Sequence, residues 1–280
     1  MKVTPFQQLV CPLDSQPLIK EGSSWGCESG HSYDIARQGH TNLLPVQNTR
    51  SRNPGDSKEM IEARQRFLDA GFYEPISDAL NRMILEDIPS VASVLDAGCG
   101  EGYYLRQLAL EPRPEQSLAV LGLDISKPAI LSAAKQDKEI NWVVASNANI
   151  PVPSETIDRL ICMFGFPVYS EFTRVLKKNG QLILVESGPE HLQELREIIY
   201  PVLKPKKEKA VIHDGFKVIS SKTLNYKIDL TERHFIADLL VMTPHLFRAS
   251  SEGKKKAAQL NSLSLTVDIQ LKCLEKEAID

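Results

Sequence analysis

From residue 91 to residue 187, short apolar segments alternate with segments in which apolar residues recur every three or four positions. The apolar segments have the length of buried strands, and the others have the period of amphipathic helices. Strands separated by helices are typical of a parallel, doubly wound α/β sheet. We expect the last helix to stop at Lys177-Lys178-Asn179-Gly180, a basic final turn followed by glycine. The predicted strands are 91–96, 119–124, 141–146, 159–164 and 181–187, and the predicted helices are 104–110, 127–135 and 170–176.

The two ends of the chain carry different patterns. Residues 1–47 contain short apolar fragments interrupted by proline and glycine, which predicts a small β-rich module with a thin core. A polar linker follows at 48–56, and helical patterns start at Ser57 and near Ile76. The alternating segment 263–276 has the length and charge of an antiparallel edge strand. The predicted organisation is therefore a β-rich module at 1–47, a linker with two helices at 48–90, and an α/β domain at 91–280.

Composition excludes several classes of protein. Hydrophobic residues make up 42% and charged residues 25% of the 280 residues, which is typical of a globular chain. No apolar run reaches the roughly 18 to 20 residues of a membrane span, and the N-terminus lacks a signal-peptide pattern. Five cysteines are too few and too scattered for a disulfide framework, which favours a reducing cytoplasm.

The charge balance is close to even, with 33 basic and 36 acidic residues and a net charge of -3. That balance argues against an indiscriminate nucleic-acid binder. Basic residues nevertheless concentrate in 37–66 and 196–222. These stretches are either contacts for phosphate groups or a solvated surface.

The first strand of the α/β domain ends at Asp96 and runs directly into a glycine loop. Gly98, Gly100 and Gly102 remove the β-carbons where a cofactor would lie against the backbone, and the next helix offers free N–H groups. The spacing G-x-G-x-G differs from the G-x-G-x-x-G of dinucleotide-binding folds. Asp124 closes the second strand, where a carboxylate can accept both ribose hydroxyls of a nucleoside. The loop indicates a nucleoside cofactor; the alternative is a tight turn in an NAD-binding or empty α/β fold.

The N-terminal module contains a possible metal site. Cys11, Asp14, Cys27 and His31 have the spacing C-x2-D…C-x3-H of a small zinc knuckle. Structural zinc sites seldom use aspartate, so a module that keeps its shape without metal is the alternative.

Further motifs extend over nearly the whole chain, and with the glycine loop they resemble the bacterial large-subunit ribosomal RNA guanine-N1 methyltransferases. Those enzymes carry a zinc ribbon ahead of a class I S-adenosylmethionine-dependent methyltransferase domain. This chain departs from the family at Asp14, which stands at the family's second cysteine ligand. The motifs are Tyr33-Asp34-Ile-Ala36, Gly39, Asn42-Leu-Leu-Pro45-Val-Gln47, Gly55-Asp56-Ser57, Glu59-Met60, Ala63-Arg64, Phe67-Leu-Asp-Ala-Gly-Phe-Tyr73, Gly122-Leu-Asp124-Ile-Ser-Lys127, Gly188-Pro189, His191-Leu192, Met242-Thr243-Pro244 and Phe247-Arg248-Ala249.

The resemblance implies a Rossmann-like α/β fold, two ligands and a substrate. The substrate is one guanine of a 23S rRNA hairpin that lines the peptide exit tunnel, gripped by the zinc-ribbon-like module, and a homodimer is implied as well. Of two branches that modify neighbouring guanines, the motif order favours the Gram-negative type. The implied S-adenosylmethionine contacts are Tyr73, Gly98, Gly100, Glu101, Gly102, Asp124 and His191, and the implied zinc ligands are Cys11, Asp14, Cys27 and His31.

The chemistry of guanine N1 sets further requirements. N1 lies on the Watson–Crick edge and carries a proton, so the base must be unpaired and the proton must find an acceptor. In place of the D/N-P-P-Y loop of amino-nitrogen methyltransferases, this chain has Cys162-Met-Phe164-Gly-Phe166-Pro167. Phe164 and Phe166 either stack on the guanine or serve only in packing. Glu186 and His191 are the candidate bases, and the catalytic residue stays unassigned.

Two other functions remain open at this level. The glycine loop alone equally fits a small-molecule methyltransferase, such as one that acts on quinone precursors. The same fold could also serve as a catalytically idle RNA-binding assembly factor. The cysteine module favours an RNA substrate, because a small substrate does not require it.

Overall fold

The alternating strands and helices form one large sheet with helices against both faces. This computed structural model describes residues 2–45, 54–111, 115–203 and 215–277. The strands are β1 (Lys2–Pro5), β2 (Ile19–Glu21), β3 (Ser24–Gly26), β4 (Ser32–Asp34), β5 (His40–Asn42), β6 (Val91–Ala97), β7 (Ser117–Asp124), β8 (Asn141–Val144), β9 (Ile157–Met163), β10 (Leu176–Ser187), β11 (Phe216–Leu230) and β12 (Leu263–Lys276). The helices are α1 (Lys58–Asp69), α2 (Glu74–Leu85), α3 (Tyr103–Ala109), α4 (Lys127–Gln136), α5 (Tyr169–Val175), α6 (Gln193–Ile199), α7 (Arg233–Val241), α8 (His245–Arg248) and α9 (Ser251–Ala258).

Within the described residues the large sheet has the order β11-β12-β10-β9-β6-β7-β8-β5, and β1 also pairs with β7. The strands from β5 to β10 in this order pair in parallel, whereas β12 pairs antiparallel with both β10 and β11. Strands β8 and β9 are buried along their whole length. Burial on both faces explains the apolar runs that they contain, Trp142–Val144 in β8 and Leu160–Met163 in β9. The predicted parallel, doubly wound sheet is confirmed.

The two predicted helices ahead of the sheet are confirmed as α1 and α2. Ser57 caps α1, since its hydroxyl accepts a hydrogen bond from the backbone N–H of Met60 at 3.3 Å. The helix then buries Ile61, Phe67 and Leu68 against the rest of the molecule. The predicted linker at 48–56 lies mostly outside the described residues, as do Val46 and Gln47 of the Asn42–Gln47 motif.

The predicted helix end at Lys177–Gly180 is wrong. Helix α5 ends at Val175, and Leu176 already pairs with Ile157 of β9. The register then shifts before Gln181, and the left-handed residue in this bulge is Asn179, with φ of 62°. Lys177 is held in the strand by an ion pair, since its ammonium group lies 2.8 Å from the buried carboxylate of Asp158 on β9.

The bounds predicted for β12 are confirmed, but its predicted place at the sheet edge is wrong. Strand β11 pairs along its whole length and forms the edge instead. The sequence of β11 is polar and mostly exposed, as in a loop, because only one face of this strand packs against the rest of the protein. Strand β12 therefore has a paired strand on each side. Its buried side chains include Leu265, Val267 and Ile269.

The N-terminal module is joined to the large sheet at both of its ends. Strand β1 pairs with β7 and β5 pairs with β8, while β2, β3 and β4 form a separate small sheet. The buried side chains of Phe6, Leu9 and Trp25 belong to the same apolar cluster as Leu95 and Leu121 of the large sheet. The thin core expected for this module is therefore completed by one face of the large sheet.

No helix in the described ranges has both the length and the apolar character needed to cross a bilayer.

Candidate active site and metal centre

The glycine loop lies at the carboxyl end of β6, between β7 and α3. The N–H groups of Gly98 and Cys99 both donate to the carbonyl oxygen of Leu123, at 2.8 and 2.9 Å, which fixes the loop to β7. Gly98, Gly100 and Gly102 all have positive φ, at 105°, 57° and 81°. The left-handed region favours glycine at each of the three positions.

The three glycines meet different surroundings. A β-carbon on Gly98 would meet nothing within 4 Å, so this position faces open space. A β-carbon on Gly102 would lie 2.4 Å from the ring of the buried Trp142. Gly102 is therefore needed for packing against β8, and the space for a ligand lies at Gly98.

Asp124 holds the loop from the end of β7. Its carboxylate accepts hydrogen bonds from the backbone N–H groups of Gly100 at 2.9 Å and Ser126 at 2.7 Å. Burial raises the pKa of this carboxyl group, and the two N–H donors act against that rise. The residue predicted to bind ribose is thus placed beside the loop.

Glu101 is placed differently from the other predicted contacts. Its buried carboxylate pairs with Arg106 at 2.9 Å and accepts from the side-chain amide of Gln136 at 3.0 Å. These partners lie on α3 and α4, so the side chain links the two helices. Both contacts use Oε2, and Oε1 is buried without a hydrogen-bond partner among the described residues.

Tyr73 and His191 come together although 118 positions separate them in the chain. Their ring centroids lie 6.3 Å apart. The ring of Phe164 is also 6.3 Å from the ring of His191, and the angle between these two ring planes is only 19°. The backbone N–H of Asp268 donates to Nδ1 of His191 at 3.4 Å. The structure therefore groups two predicted contacts with one of the candidate stacking residues.

Phe164 and Phe166 are exposed at the carboxyl end of β9. The exposed fractions of their side chains are 44% and 85%, which removes the alternative that both are core residues. Phe164 also has φ of 48°, a strained value for a residue with a β-carbon. Strain and exposed aromatic surface at one point are typical of a binding site.

Glu186, the other candidate base, lies at the end of β10. Its carboxylate pairs with the ammonium group of Lys272 at 3.0 Å. This ion pair occupies one of its two carboxylate oxygens.

Two polar residues at the loop were not predicted as ligand contacts, although the sequence analysis placed Asp96 at the start of the loop. Oδ1 of Asp96 and Oδ1 of Asn147 are buried and have no hydrogen-bond partner among the described residues. Burial, reinforced by the charge of Asp124, raises the pKa of Asp96 to about 8. The side chain of Asn147 donates to the carbonyl oxygen of Ala97 at 3.3 Å. The one signal in the sequence for a role of Asn147 at the loop is its position shortly after β8.

These features fit a nucleoside with a cationic sulfur. The open space at Gly98 admits the ligand against bare backbone, and the carboxyl groups of Asp96 and Asp124 suit a cation and hydroxyl groups. Buried polar atoms without partners are rare, and a ligand would satisfy them.

The four predicted metal ligands converge in the N-terminal module. Nδ1 of His31 lies 3.4 Å from the sulfur atoms of both Cys11 and Cys27 and 3.0 Å from Oδ2 of Asp14. The four ligand atoms all lie within 4.8 Å of one another. With metal–ligand bonds of about 2.0 to 2.3 Å, a tetrahedral zinc ion needs donor atoms about 3.3 to 3.8 Å apart. The donor set therefore fits zinc.

Asp14 is oriented for this purpose by its own loop. The backbone N–H of Gln16 donates to Oδ1 at 3.0 Å, which leaves Oδ2 facing the cysteines and the histidine. This hydrogen bond, first among several, holds the pKa of Asp14 well below its usual range. The hydroxyl of Tyr33 lies 3.1 Å from the sulfur of Cys11 and supports the cluster from outside.

The two basic stretches, 37–66 and 196–222, differ in the contacts that their residues make. Arg64 and Arg66 are engaged within the protein, with Asp56 at 2.6 Å and with Asp238 at 2.5 Å. Lys217 and Lys222 are exposed on β11. Several of the remaining basic residues lie outside the described residues, namely Arg50, Arg52, Lys204, Lys206, Lys207 and Lys209.

Comparison with known proteins finds matches to both parts of the chain. Residues 9–52 match the zinc ribbon described as "RlmA, N-terminal", and residues 94–180 match a methyltransferase domain. The chain is 30% identical over 279 residues to YxjB of Bacillus subtilis (strain 168), which is provisionally named a 23S rRNA (guanine-N(1)-)-methyltransferase. That match covers 96% of this chain and 98% of the relative. The chain belongs to the 23S rRNA (guanine-N1)-methyltransferase family.

Other relatives show what distinguishes this family. The 23S rRNA (guanine(748)-N(1))-methyltransferase of Streptomyces fradiae is 30% identical over 198 residues, 70% of this chain and 69% of the relative. The demethylmenaquinone methyltransferase of Thermotoga maritima is 29% identical over only 149 residues, 51% of this chain and 63% of the relative. A quinone methyltransferase therefore shares part of the chain, whereas the match to the rRNA guanine-N1 methyltransferases extends nearly end to end. The predicted Rossmann-like methyltransferase fold with an N-terminal zinc-ribbon module is confirmed.

Proposed function

We propose that this chain transfers a methyl group from S-adenosylmethionine to N1 of one guanine in a 23S rRNA hairpin, in the cytoplasm. In this proposal the glycine loop binds the cofactor, and the N-terminal module binds zinc through Cys11, Asp14, Cys27 and His31. The module and the exposed basic residues hold the hairpin. A homodimer is part of the same prediction and is measured by analytical ultracentrifugation.

The observation that carries the proposal is the loop at 145–151, which links the module to the cofactor pocket. The side chain of Asn149 donates to the carbonyl oxygen of Pro12 at 3.0 Å, and the N–H of Val10 donates to Pro151 at 3.1 Å. Two residues earlier, Asn147 contacts the start of the glycine loop at Ala97. An RNA held by the module would therefore lie beside the pocket, and a small substrate would need no such arrangement.

Phe164 supports a flat substrate at this pocket. Its ring is partly exposed, nearly parallel to that of His191, and close to the glycine loop through the pairing of β9 with β6. Stacking on an aromatic ring contributes about 1 to 3 kcal/mol per base, which is enough to hold an unpaired guanine. We infer that the extruded guanine stacks on Phe164 and that Phe166 contacts the adjacent base of the RNA.

The residues of the chain then position the reaction. S-adenosylmethionine supplies an electrophilic methyl group when bound. Asp124 holds the loop and accepts from ribose, and Asp96 offers a carboxyl group to the cationic part of the ligand. Phe164 orients the guanine so that N1 faces the pocket, which lowers the entropy cost of the reaction.

Mass mapping of 23S rRNA tests the proposal directly. In a strain that lacks the gene, one guanine loses a methyl group, and the primer-extension block at that base disappears. The wild-type gene restores both. Phe164→Ala lowers kcat/KM for rRNA by about 5- to 100-fold because the stacking platform is lost, whereas Leu110→Ala, an equally apolar exposed position at the end of α3, leaves it unchanged.

Other outcomes would overturn the assignment. A primer-extension block that persists without the gene would refute the rRNA substrate. Methyl transfer to a quinone precursor but not to rRNA would favour the small-molecule alternative. Unchanged ribosome function when Asp124→Ala abolishes cofactor binding would favour the idle assembly factor.

A further inference from the structure

Arg64 lies over the glycine loop although it belongs to α1, more than 30 residues earlier in the chain. A β-carbon on Gly100 would be only 3.6 Å from its Nη1 atom. Nη1 also lies 2.6 Å from the carboxylate of Asp56, and Nη2 donates to the carbonyl oxygen of Met242 at 3.0 Å. The guanidinium is thus fixed at the mouth of the pocket by two contacts.

The segment ahead of α1 explains this placement. The hydroxyl of Ser126 donates to the carbonyl oxygen of Asp56 at 2.7 Å, directly after the strand that ends at Asp124. Gly55 has φ of 83°, and a β-carbon there would lie 2.8 Å from Ser126. Close contact at Gly55 therefore brings Asp56, and with it Arg64, beside the loop.

The charges around the loop leave one requirement of the proposed ligand unmet. S-adenosylmethionine carries a sulfonium and an ammonium group, which suit carboxylates, and a carboxylate, which the carboxylates of Asp56 and Asp124 would repel. Arg106, the other arginine that contacts the loop among the described residues, is held by the side chain and the carbonyl of Glu101.

Arg64 has the capacity to meet that requirement. A guanidinium has five N–H donors, and the two contacts recorded within the described chain use one N–H on each terminal nitrogen. Its side chain is 25% exposed, so solvent and ligand can reach it. Arginine is also the residue best shaped for binding a carboxylate.

We propose that Arg64 binds the α-carboxylate of S-adenosylmethionine and so selects the amino-acid tail of the cofactor. The inference rests on the proposed cofactor, but it does not depend on which molecule receives the methyl group. It makes α1 part of the cofactor site, and it explains why Asp56 and Met242 hold the arginine in place.

Calorimetric titration with two probes tests this role on the full-length protein. The probes are S-adenosylmethionine and 5′-methylthioadenosine, which shares the adenosine and the sulfur but lacks the amino-acid tail. Arg64→Gln weakens the binding of S-adenosylmethionine by about 10- to 100-fold, as expected for a lost charge-assisted hydrogen bond. It leaves 5′-methylthioadenosine binding within about twofold, which also shows that the variant is folded.

Arg66→Gln is the matched control, since Arg66 lies on the same helix and pairs with Asp238 rather than with residues at the loop. It keeps the wild-type ratio of the two affinities, and Arg64→Lys restores part of the preference for S-adenosylmethionine. An equal loss for both probes in Arg64→Gln, or no loss for either, would overturn the proposal.

Failure of the proposed function gives a different result. If the wild-type protein binds S-adenosylmethionine through Arg64 but no rRNA base is methylated, only the substrate assignment is refuted. Absence of binding by the folded wild-type protein would overturn the Arg64 proposal together with the cofactor.

Discussion

The candidate metal centre and the glycine-loop pocket are both candidate binding sites, but the chain builds them in opposite ways. The four metal-centre donors come from a single stretch of 21 residues, 11 to 31, around one small sheet. The pocket draws on α1, the ends of β6 to β9, and the segment before α6. A local site is coded by spacing along the chain, whereas a distributed site is coded by which strand ends the topology brings together.

The two sites also differ in how they depend on the surrounding core. The candidate metal centre lies on a module whose apolar residues pack into the large sheet, so the shape of the module has a support besides any bound ion. The glycine loop depends on close contacts instead, since Gly102 packs against Trp142 and the N–H of Gly100 donates to the carboxylate of Asp124. We expect substitutions in the loop to cost more stability than changes of a metal ligand.

The largest effect is expected for Gly102→Ala. The new β-carbon would lie 2.4 Å from the ring of Trp142, on a residue whose φ is 81°. Overpacking and backbone strain together cost about 3 to 5 kcal/mol of the free energy of unfolding, measured by urea denaturation. Gly98→Ala is the control: its β-carbon meets no atom within 4 Å, so it costs only about 1 to 2 kcal/mol but weakens cofactor binding. Equal costs for the two variants would contradict the division of roles within the loop.

A smaller and opposite effect is expected for Asp14→Cys. A third thiolate replaces a carboxylate that structural zinc sites seldom use, so the affinity for zinc rises at least tenfold, about 1.4 kcal/mol or more. Competition with a chromophoric chelator measures the affinity, and a stronger thiolate charge-transfer band with cobalt reports the added ligand. Asp34→Cys adds an exposed thiol on β4, outside the cluster, and leaves the affinity unchanged. An unchanged affinity in Asp14→Cys would show that residue 14 is not a ligand.

The smallest effect concerns the buried carboxyl group of Asp96. Its pKa is raised to about 8, so between about pH 4 and pH 8 the folded protein binds a proton that the unfolded chain has lost. Stability therefore falls as the pH rises through this range. Asp96→Asn does not titrate, and we expect it to exceed the wild type by about 1 to 2 kcal/mol at pH 8.5 and by little at pH 4.5.

Urea denaturation of the ligand-free protein at the two pH values measures the effect of Asp96→Asn. Asp229→Asn, at an exposed position of β11, serves as the control for the removal of one carboxyl group. A difference between Asp96→Asn and wild type that is the same at both pH values would mean that Asp96 titrates normally.

Much of the fold could be predicted because burial leaves a direct trace in the sequence. Strands β8 and β9 are buried on both faces and therefore contain apolar runs, from which the prediction located both strands within a few residues. Strand β11 could not be predicted, because a long edge strand with one exposed face has the composition of a loop. The place of β12 was wrong for the same reason, since it depends on whether another strand pairs outside it.

The sequence by itself determined the parallel strands and helices, the glycine loop, and the spacing of the metal ligands, because each is a property of residues close together in the chain. Only the tertiary structure decided that Gly98 faces open space while Gly102 packs on Trp142, and that Glu101 turns towards Arg106. It also placed Arg64 over the loop. Those properties arise from contacts between distant segments, and such contacts depend on shape and topology, which no local pattern records.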